Sequence, residues 1–292
     1  MNSGLIDRET IRMQSRKLVS VNWHLWPRCM NNCSFCFGRF NEIKTTLNRE
    51  NALRILRILV DSGTEKISFT GGEPLLCPHL GELIKESHNL GLTTMLITSG
   101  TILNTKFIEE HHRYLDWIAL SVDSSNEHIQ KQLGRGNGNH VHKIKKLSKD
   151  IHSYNINLKI NTVVTKLNWN EDMTEFIEEI APVRWKVFQV LKIVGQNDGT
   201  IDQLLISEEE FNVFVKTHNH LKPVVESNKD MKGSYIMLDA LGRFFQNSNG
   251  YLQYSQSILE IDPIKAIIQV GWDYNKFIKR GGLYNWNIKG GG

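Results

Sequence analysis

Between residues 19 and 193 the hydrophobic period of the chain switches repeatedly, from short extended runs to amphipathic helical runs and back. Extended runs fall at 19–25, 66–70, 93–98, 117–122, 157–165 and 183–193. Helical periodicity fills 47–62, 79–89, 105–113, 139–152 and 171–180. Asn48 and Asn104 stand where helix N-caps belong, and Gly63 and Gly91 follow two helix ends. Strands that alternate with helices pair in parallel through right-handed crossovers, which leaves an open doubly wound sheet or a barrel as the α/β solutions. After Gly195 the rhythm stops. A helix is predicted at 207–220, a hairpin or irregular extended pair at 234–246, and short helices at 262–269 and 273–279. The chain thus divides into an N-terminal segment (1–17, partly disordered), a repeating core (18–195), a C-terminal extension (196–286) and a flexible glycine tail (287–292).

The segment Cys29-Met-Asn-Asn-Cys33-Ser-Phe-Cys36 comes directly after the first extended run. Three thiolates this close on one loop can hold three irons of a [4Fe–4S] cube and leave the fourth iron open to a small molecule. A zinc site is the alternative; it needs a fourth ligand, and His24 is the only imidazole nearby. Cys77 stands alone and reads as a packed thiol. Four cysteines in 292 residues cannot form a disulfide scaffold, and this usage suits a reduced, cytoplasmic chain. No apolar run approaches the ~20 residues of a membrane span.

Side chains on a strand alternate between its two faces. Val21, Trp23 and Leu25 share one face of the first strand and Asn22 and His24 the other; in the second, Ile67 and Phe69 oppose Lys66, Ser68 and Thr70. Leu158 and Ile160 oppose Lys159 and Asn161, and Val183, Trp185 and Val187 oppose Arg184 and Lys186. The apolar faces must pack on helices, so the polar faces point inward. That puts Lys66, Lys159, Arg184 and Lys186 in one interior with no comparably placed acid on those strands. Burying four unpaired cations is costly, so the interior is expected to take a polyanion such as a nucleoside triphosphate. Side chains that snorkel to the rim are the alternative. The net charge of +4 permits such a ligand, whereas helix lysines interspersed with acids give no basic face for nucleic acid.

The CxxxCxxC loop, followed by Gly71-Gly72-Glu73-Pro74 after the second strand, resembles the radical S-adenosylmethionine superfamily. The resemblance implies a partial (β/α)6 barrel, with a C-terminal extension covering its mouth, and two cofactors: a [4Fe–4S] cluster on Cys29, Cys33 and Cys36, and S-adenosylmethionine. Cofactor contacts are implied for Phe35, Gly71, Gly72, Glu73, Ser121 and Arg135. Ser99 stands where the family is expected to carry an asparagine toward the methionyl part.

Further strings narrow the resemblance to the viperin family: Ser20-Val-Asn-Trp-His24, Gly134-Arg-Gly136, Pro182-Val-Arg-Trp-Lys-Val-Phe-Gln189, Val225-Glu-Ser-Asn228, Ser234-Tyr-Ile-Met-Leu-Asp239 and Phe277-Ile-Lys-Arg-Gly-Gly282. That family converts CTP to 3′-deoxy-3′,4′-didehydro-CTP, a chain terminator used in antiviral defence, and some members take UTP or GTP. It implies Asn22, Lys66, Lys159, Asn161, Arg184 and Lys186 on the substrate, Tyr235 and His24 as catalytic groups, and an electron donor such as flavodoxin or ferredoxin. The amphipathic membrane helix of the vertebrate members is missing here, so no membrane anchoring is expected. Enzymes with auxiliary clusters, whether GTP-cyclising or peptide-modifying, would need cysteines after Cys77, and there are none. A non-catalytic iron–sulfur scaffold is the reading of another class.

Overall fold

A computed structural model describes residues 17–287, so the expectations for residues 1–16 and for the final glycines lie outside the described residues. The core alternates β1 (Ser20–Trp26), α1 (Arg49–Asp61), β2 (Lys66–Gly71), α2 (Leu80–Asn89), β3 (Thr93–Thr98), α3 (Thr105–His111), β4 (Trp117–Ser121), α4 (Glu127–Gln132), α5 (His140–Ser153), β5 (Asn157–Val164), α6 (Thr174–Ile180) and β6 (Arg184–Gln189). The extension adds α7 (Glu208–Thr217), β7 (Val224–Glu226), α8 (Asn228–Met231), β8 (Ile236–Leu238), β9 (Arg243–Gln246), β10 (Gln253–Ser257), α9 (Pro263–Gln269) and α10 (Tyr274–Lys279). No described helix is long and apolar enough to cross a membrane.

All strands join one sheet in the order β10-β9-β8-β1-β2-β3-β4-β5-β6-β7. From β8 through β1 to β7 every neighbour is parallel; β9 pairs antiparallel with both β8 and β10 and is the one reversed strand among the described residues. The alternation predicted the parallel α/β sheet and left an open sheet or a barrel; the partial barrel is the one the family resemblance implied. Asn48 and Asn104 accept from the backbone N–H of Asn51 and Phe107 and so cap α1 and α3. The apolar strand faces pack outward on the helices: Val21, Trp23, Ile67, Phe69, Ile118, Leu158, Ile160 and Val187 share one buried cluster with Ile55, Leu56, Ile84, Ile144 and Ile177. Each such side chain contributes about 1.5–3 kcal/mol by leaving water.

Three features differ from the sequence reading. The sixth strand stops at Gln189 rather than 193, and Val183 lies outside it, half exposed. The extension does more than cover the mouth. It lengthens the sheet at both edges, β7 beside β6 and β8 beside β1, and its end runs beneath the barrel, where Trp117 Nε1 donates to the Trp286 carbonyl at 2.8 Å. The short strands β7 and β10 and the helices α4 and α8 carry too few apolar residues to show a period.

Candidate active site

The cysteine loop hangs between two backbone clamps. On one side Gly72 N donates to Trp26 O and Glu73 N to Arg28 O. A Cβ on Gly71, whose φ is +151°, would lie 2.3 Å from Trp26 O, so only glycine lets the end of β2 come this close. On the other side Asn32 N donates to Gly134 O and Ser34 N to Leu133 O, and a Cβ on Gly134 (φ +81°) would lie 2.2 Å from Asn32 O. The extension adds a third hold, since Asn197 Nδ2 donates to Phe35 O and Thr200 Oγ1 to Ser34 O. Fixed backbone of this kind presents Cys29, Cys33 and Cys36 together.

Three thiols on one loop are the donor set of a cluster with one open iron; among the described residues they, like every other trio of His, Cys, Asp or Glu, are not drawn together around a single-ion site. His24, the fourth ligand a zinc site would need, instead sits edge-on among Phe37, Phe40 and Phe245 at centroid distances of 5.9, 5.3 and 5.1 Å. Burial pushes the Cys33 thiol up to about 12, opposed by the nearby Arg135 charge. A thiol in such a place is held as thiolate by a metal centre rather than by solvent.

Beside the loop, Glu73 is fully buried with its acceptor positions taken: Thr98 Oγ1 at 2.7 Å, Ser99 Oγ at 2.7 Å, Ser99 N at 3.1 Å and Leu75 N at 3.4 Å. Its carboxylate ties the end of β2 to the Thr98–Ser99 turn. Ser99 therefore meets Glu73 and Thr101 rather than an open cleft. Arg135 is held by Asp123 at 2.6 Å and lies 5.6 Å above the Phe35 ring. Burial opposes its charge, but Asp123 and Cys33 outweigh that and raise its pKa.

Below the mouth, the register of the sheet brings the polar strand residues into rows. Lys159 is level with Arg184, and Ser121, Asn161 and Lys186 are level across β4, β5 and β6. Lys66, Lys159 and Lys186 are 4%, 8% and 5% exposed, so they do not snorkel to solvent. The lumen holds a further cation and an acid that the strand alternation missed. Glu226, fully buried on β7, accepts from Lys186 and Tyr235 Oη, and from Arg280 Nη1 at 3.4 Å. No acid lies on the strands that carry these cations, as expected, but a carboxylate reaches them from β7, a three-residue strand with no visible period. Arg280 also lies 3.6 Å over the Tyr235 ring and donates to Ser234 O. Beneath, Tyr284 stacks on the Arg184 guanidinium at 3.9 Å.

The charges crowd one another. Burial pushes Lys66 down to about 7 and Lys186 to about 8, with neighbouring cations adding to the fall for Lys66. Lys159 falls well below its ordinary value for the same reasons, burial first. Burial would raise the Glu226 carboxyl, yet Lys186 and Arg280 hold it below the usual range. Burial raises the Tyr235 phenol well above its usual value, and Glu226 adds to this. Burial drops His24 to about 3. His24 Nδ1, Asn161 Oδ1 and Arg184 Nε are buried with no hydrogen-bond partner among the described residues. Asn22, partly buried on β1, is level with Ser68 and Met237.

Residues 23–180 match the radical SAM superfamily. A protein of Flammeovirga pacifica named S-adenosylmethionine-dependent nucleotide dehydratase is 48% identical over 92% of this chain and 96% of its own length. The similarly named RSAD2 protein of Oncorhynchus mykiss is 38% identical over 92% of this chain and 80% of its own. Among solved structures, Streptococcus suis SuiB bound to S-adenosylmethionine superposes with a TM-score of 0.68 at 16% identity, over 94% of this chain and 70% of that one. That last likeness is one of fold.

Proposed function

The chain belongs to the S-adenosylmethionine-dependent nucleotide dehydratase family of the radical SAM superfamily, and on that premise we propose that it removes water from the ribose of a nucleoside triphosphate. CTP is the favoured substrate, by resemblance, with UTP and GTP as alternatives. The product is the 3′-deoxy-3′,4′-didehydro nucleotide, a chain terminator suited to antiviral defence, made in the cytoplasm. What supports a triphosphate is the lumen itself: five buried or half-buried cations share one carboxylate, an arrangement that is costly until an anion enters.

Cys29, Cys33 and Cys36 would hold the [4Fe–4S] cluster, and the Gly71–Glu73 main chain, Phe35, Ser121 and Arg135 would receive S-adenosylmethionine. When bound, these cofactors supply, with an electron from a flavodoxin- or ferredoxin-type donor, a carbon radical able to take hydrogen from an unactivated C–H bond. Lys66, Lys159, Arg184, Lys186 and Arg280 grip the phosphates from below. A rigid grip distant from the reacting carbon fixes the ribose in place at the mouth, where positional error is most damaging to rate. Asn22, His24 and Asn161 flank the nucleoside. His24 stays neutral at physiological pH, so it orients rather than carries a proton. On the nucleotide, C4′ gives up a hydrogen atom and C3′ a hydroxide; one proton and one electron are taken up, and water leaves. Tyr235 keeps its phenolic proton between Glu226 and Lys186 and is the group we assign to that proton.

The test is anaerobic turnover of the reconstituted protein with S-adenosylmethionine, a reductant and each nucleoside triphosphate in turn. Mass spectrometry should find 5′-deoxyadenosine together with a nucleotide lighter by one water, most readily from CTP. 5′-Deoxyadenosine without any lighter nucleotide would refute the dehydration.

A further inference from the structure

The way charge is distributed in the lumen carries a conclusion about the form of the substrate. Six groups are electrostatically coupled there: Lys66, Lys159, Arg184, Lys186, Arg280 and, as the one carboxylate among them, Glu226. Fully ionised, five cations and one anion leave four positive charges. A free nucleoside triphosphate carries about four negative charges at neutral pH, since the last phosphate proton leaves near pH ~6. Its magnesium complex carries only two.

Among the described residues a divalent cation would also find no uncommitted buried carboxylate to hold it. Mg²⁺ keeps octahedral oxygen coordination and is usually bound by one or two carboxylates as well as phosphate oxygens. Glu226 already accepts from Lys186, Tyr235 and Arg280. The other buried acids near the barrel are committed elsewhere: Glu73 to Thr98 and Ser99, Asp123 to Arg135, Asp239 to Arg243. A second metal charge would have to lie among ammonium and guanidinium groups with no ligand between.

We propose that the lumen takes its nucleoside triphosphate as the free tetra-anion, with no divalent cation on the phosphates. The inference rests on the triphosphate reading above and deepens it. The side chains do for the phosphates what Mg²⁺ does in sites built on acids. Burial has pushed Lys66 and Lys186 down to about 7 and 8 in the nucleotide-free protein, and a tetra-anion restores their charge more fully than a half-neutralised complex does.

Equilibrium dialysis of labelled CTP tests this on the cluster-reconstituted protein with S-adenosylmethionine and no reductant. In metal-free buffer CTP should bind tightly. Millimolar excess Mg²⁺ should raise the apparent Kd by roughly tenfold or more, the inverse of the fraction of CTP left free. An exchange-inert chromium(III) complex of CTP should fail to compete. With Mn²⁺ in place of Mg²⁺, electron paramagnetic resonance should show no protein-bound Mn²⁺ at saturating CTP. A Kd that Mg²⁺ leaves unchanged or tightens, or Mn²⁺ bound with the nucleotide, overturns this inference and leaves the triphosphate reading intact. No binding of CTP, UTP or GTP in either buffer removes that reading, and this inference with it.

Discussion

The two ends of the barrel treat buried charge in opposite ways. At the mouth, each ionic group has its partner built in: Glu73 accepts from Thr98, Ser99 and Leu75, and Arg135 is paired with Asp123. In the lower lumen, Glu226 is the one buried carboxylate among five cations in the described residues, and it pairs directly with only two of them, Lys186 and Arg280. Buried polar groups are retained only when satisfied. The mouth is therefore a finished scaffold whose vacant chemistry lies in its thiols and main chain. On the proposed reading the lower lumen is completed by the anion it binds. A substitution at the mouth should therefore strike the cofactors and spare nucleotide affinity, and one in the lumen should do the reverse.

Cys33→Ala should show the largest effect. Removing one of three thiolates from the loop should cost the protein most of its bound iron after anaerobic reconstitution and abolish both 5′-deoxyadenosine and product. CTP affinity by equilibrium dialysis should change by less than about threefold, since near-neutral changes are the rule away from the contact site. Full iron with normal turnover would overturn the cluster assignment. A matching loss of CTP binding would break the separation of the two ends.

Lys186→Ala comes next. On the proposed reading it deletes a phosphate contact, and it removes one of the three partners of Glu226, leaving that carboxylate to Arg280 and Tyr235. Losing one member of a buried charge group costs several kcal/mol, so KM for the nucleotide should rise by roughly a hundredfold while iron content stays full. An unchanged KM would sink the clamp.

The lumen should also impose opposite pH dependences on binding and folding. Lys66 and Lys186 titrate near 7 and 8 in the folded, nucleotide-free protein, below the ~10.4 of an unfolded lysine. Between those values the unfolded chain binds more protons, so the stability of the nucleotide-free protein should rise with pH from about 7 to 10. Anion affinity should fall over the lower part of the same range, as the lysines lose charge. Calorimetric Tm and CTP Kd across pH 6.5–9, a span set roughly by these lysine values, should both rise; flat profiles would mean that the lysines keep their protons throughout. His24, already neutral in the folded protein, should add no inflection near pH 6 to the CTP Kd.

How much could be read from the chain follows the same division. Lys66, Lys159, Arg184 and Lys186 are legible because a strand buried on its outer face fixes which side chains point inward, and that pattern survives in the bare sequence. Glu226 and Arg280 are not, because three-residue β7 and the turn after α10 have no period; only the fold brings them to Lys186. At the mouth the cysteine spacing is legible, whereas the side-chain partners of Glu73 and the clamp made by Gly134 depend on loops brought together from different βα units. The strings Gly134-Arg-Gly136 and Val225-Glu-Ser-Asn228 did mark these places by resemblance, without saying what they touch.

The smallest expected effect probes the finished end. Ser99→Ala removes the hydroxyl that donates to Glu73 Oε2 and bridges to Thr101, while the Ser99 backbone N–H still donates to the same oxygen. One lost hydrogen bond of this kind is worth about 1–2 kcal/mol net where a charged acceptor keeps a second donor. That translates into a rise of roughly fivefold to thirtyfold in KM for S-adenosylmethionine if Glu73 orients the Gly71–Glu73 main chain, with KM for CTP unmoved. Ser99→Thr keeps the hydroxyl and should restore most of the loss, which a purely steric role for the position would not allow. If KM for CTP rose in step, the strain at Glu73 would have to travel down β2 to Lys66, and the mouth and the lumen would be one coupled network rather than two.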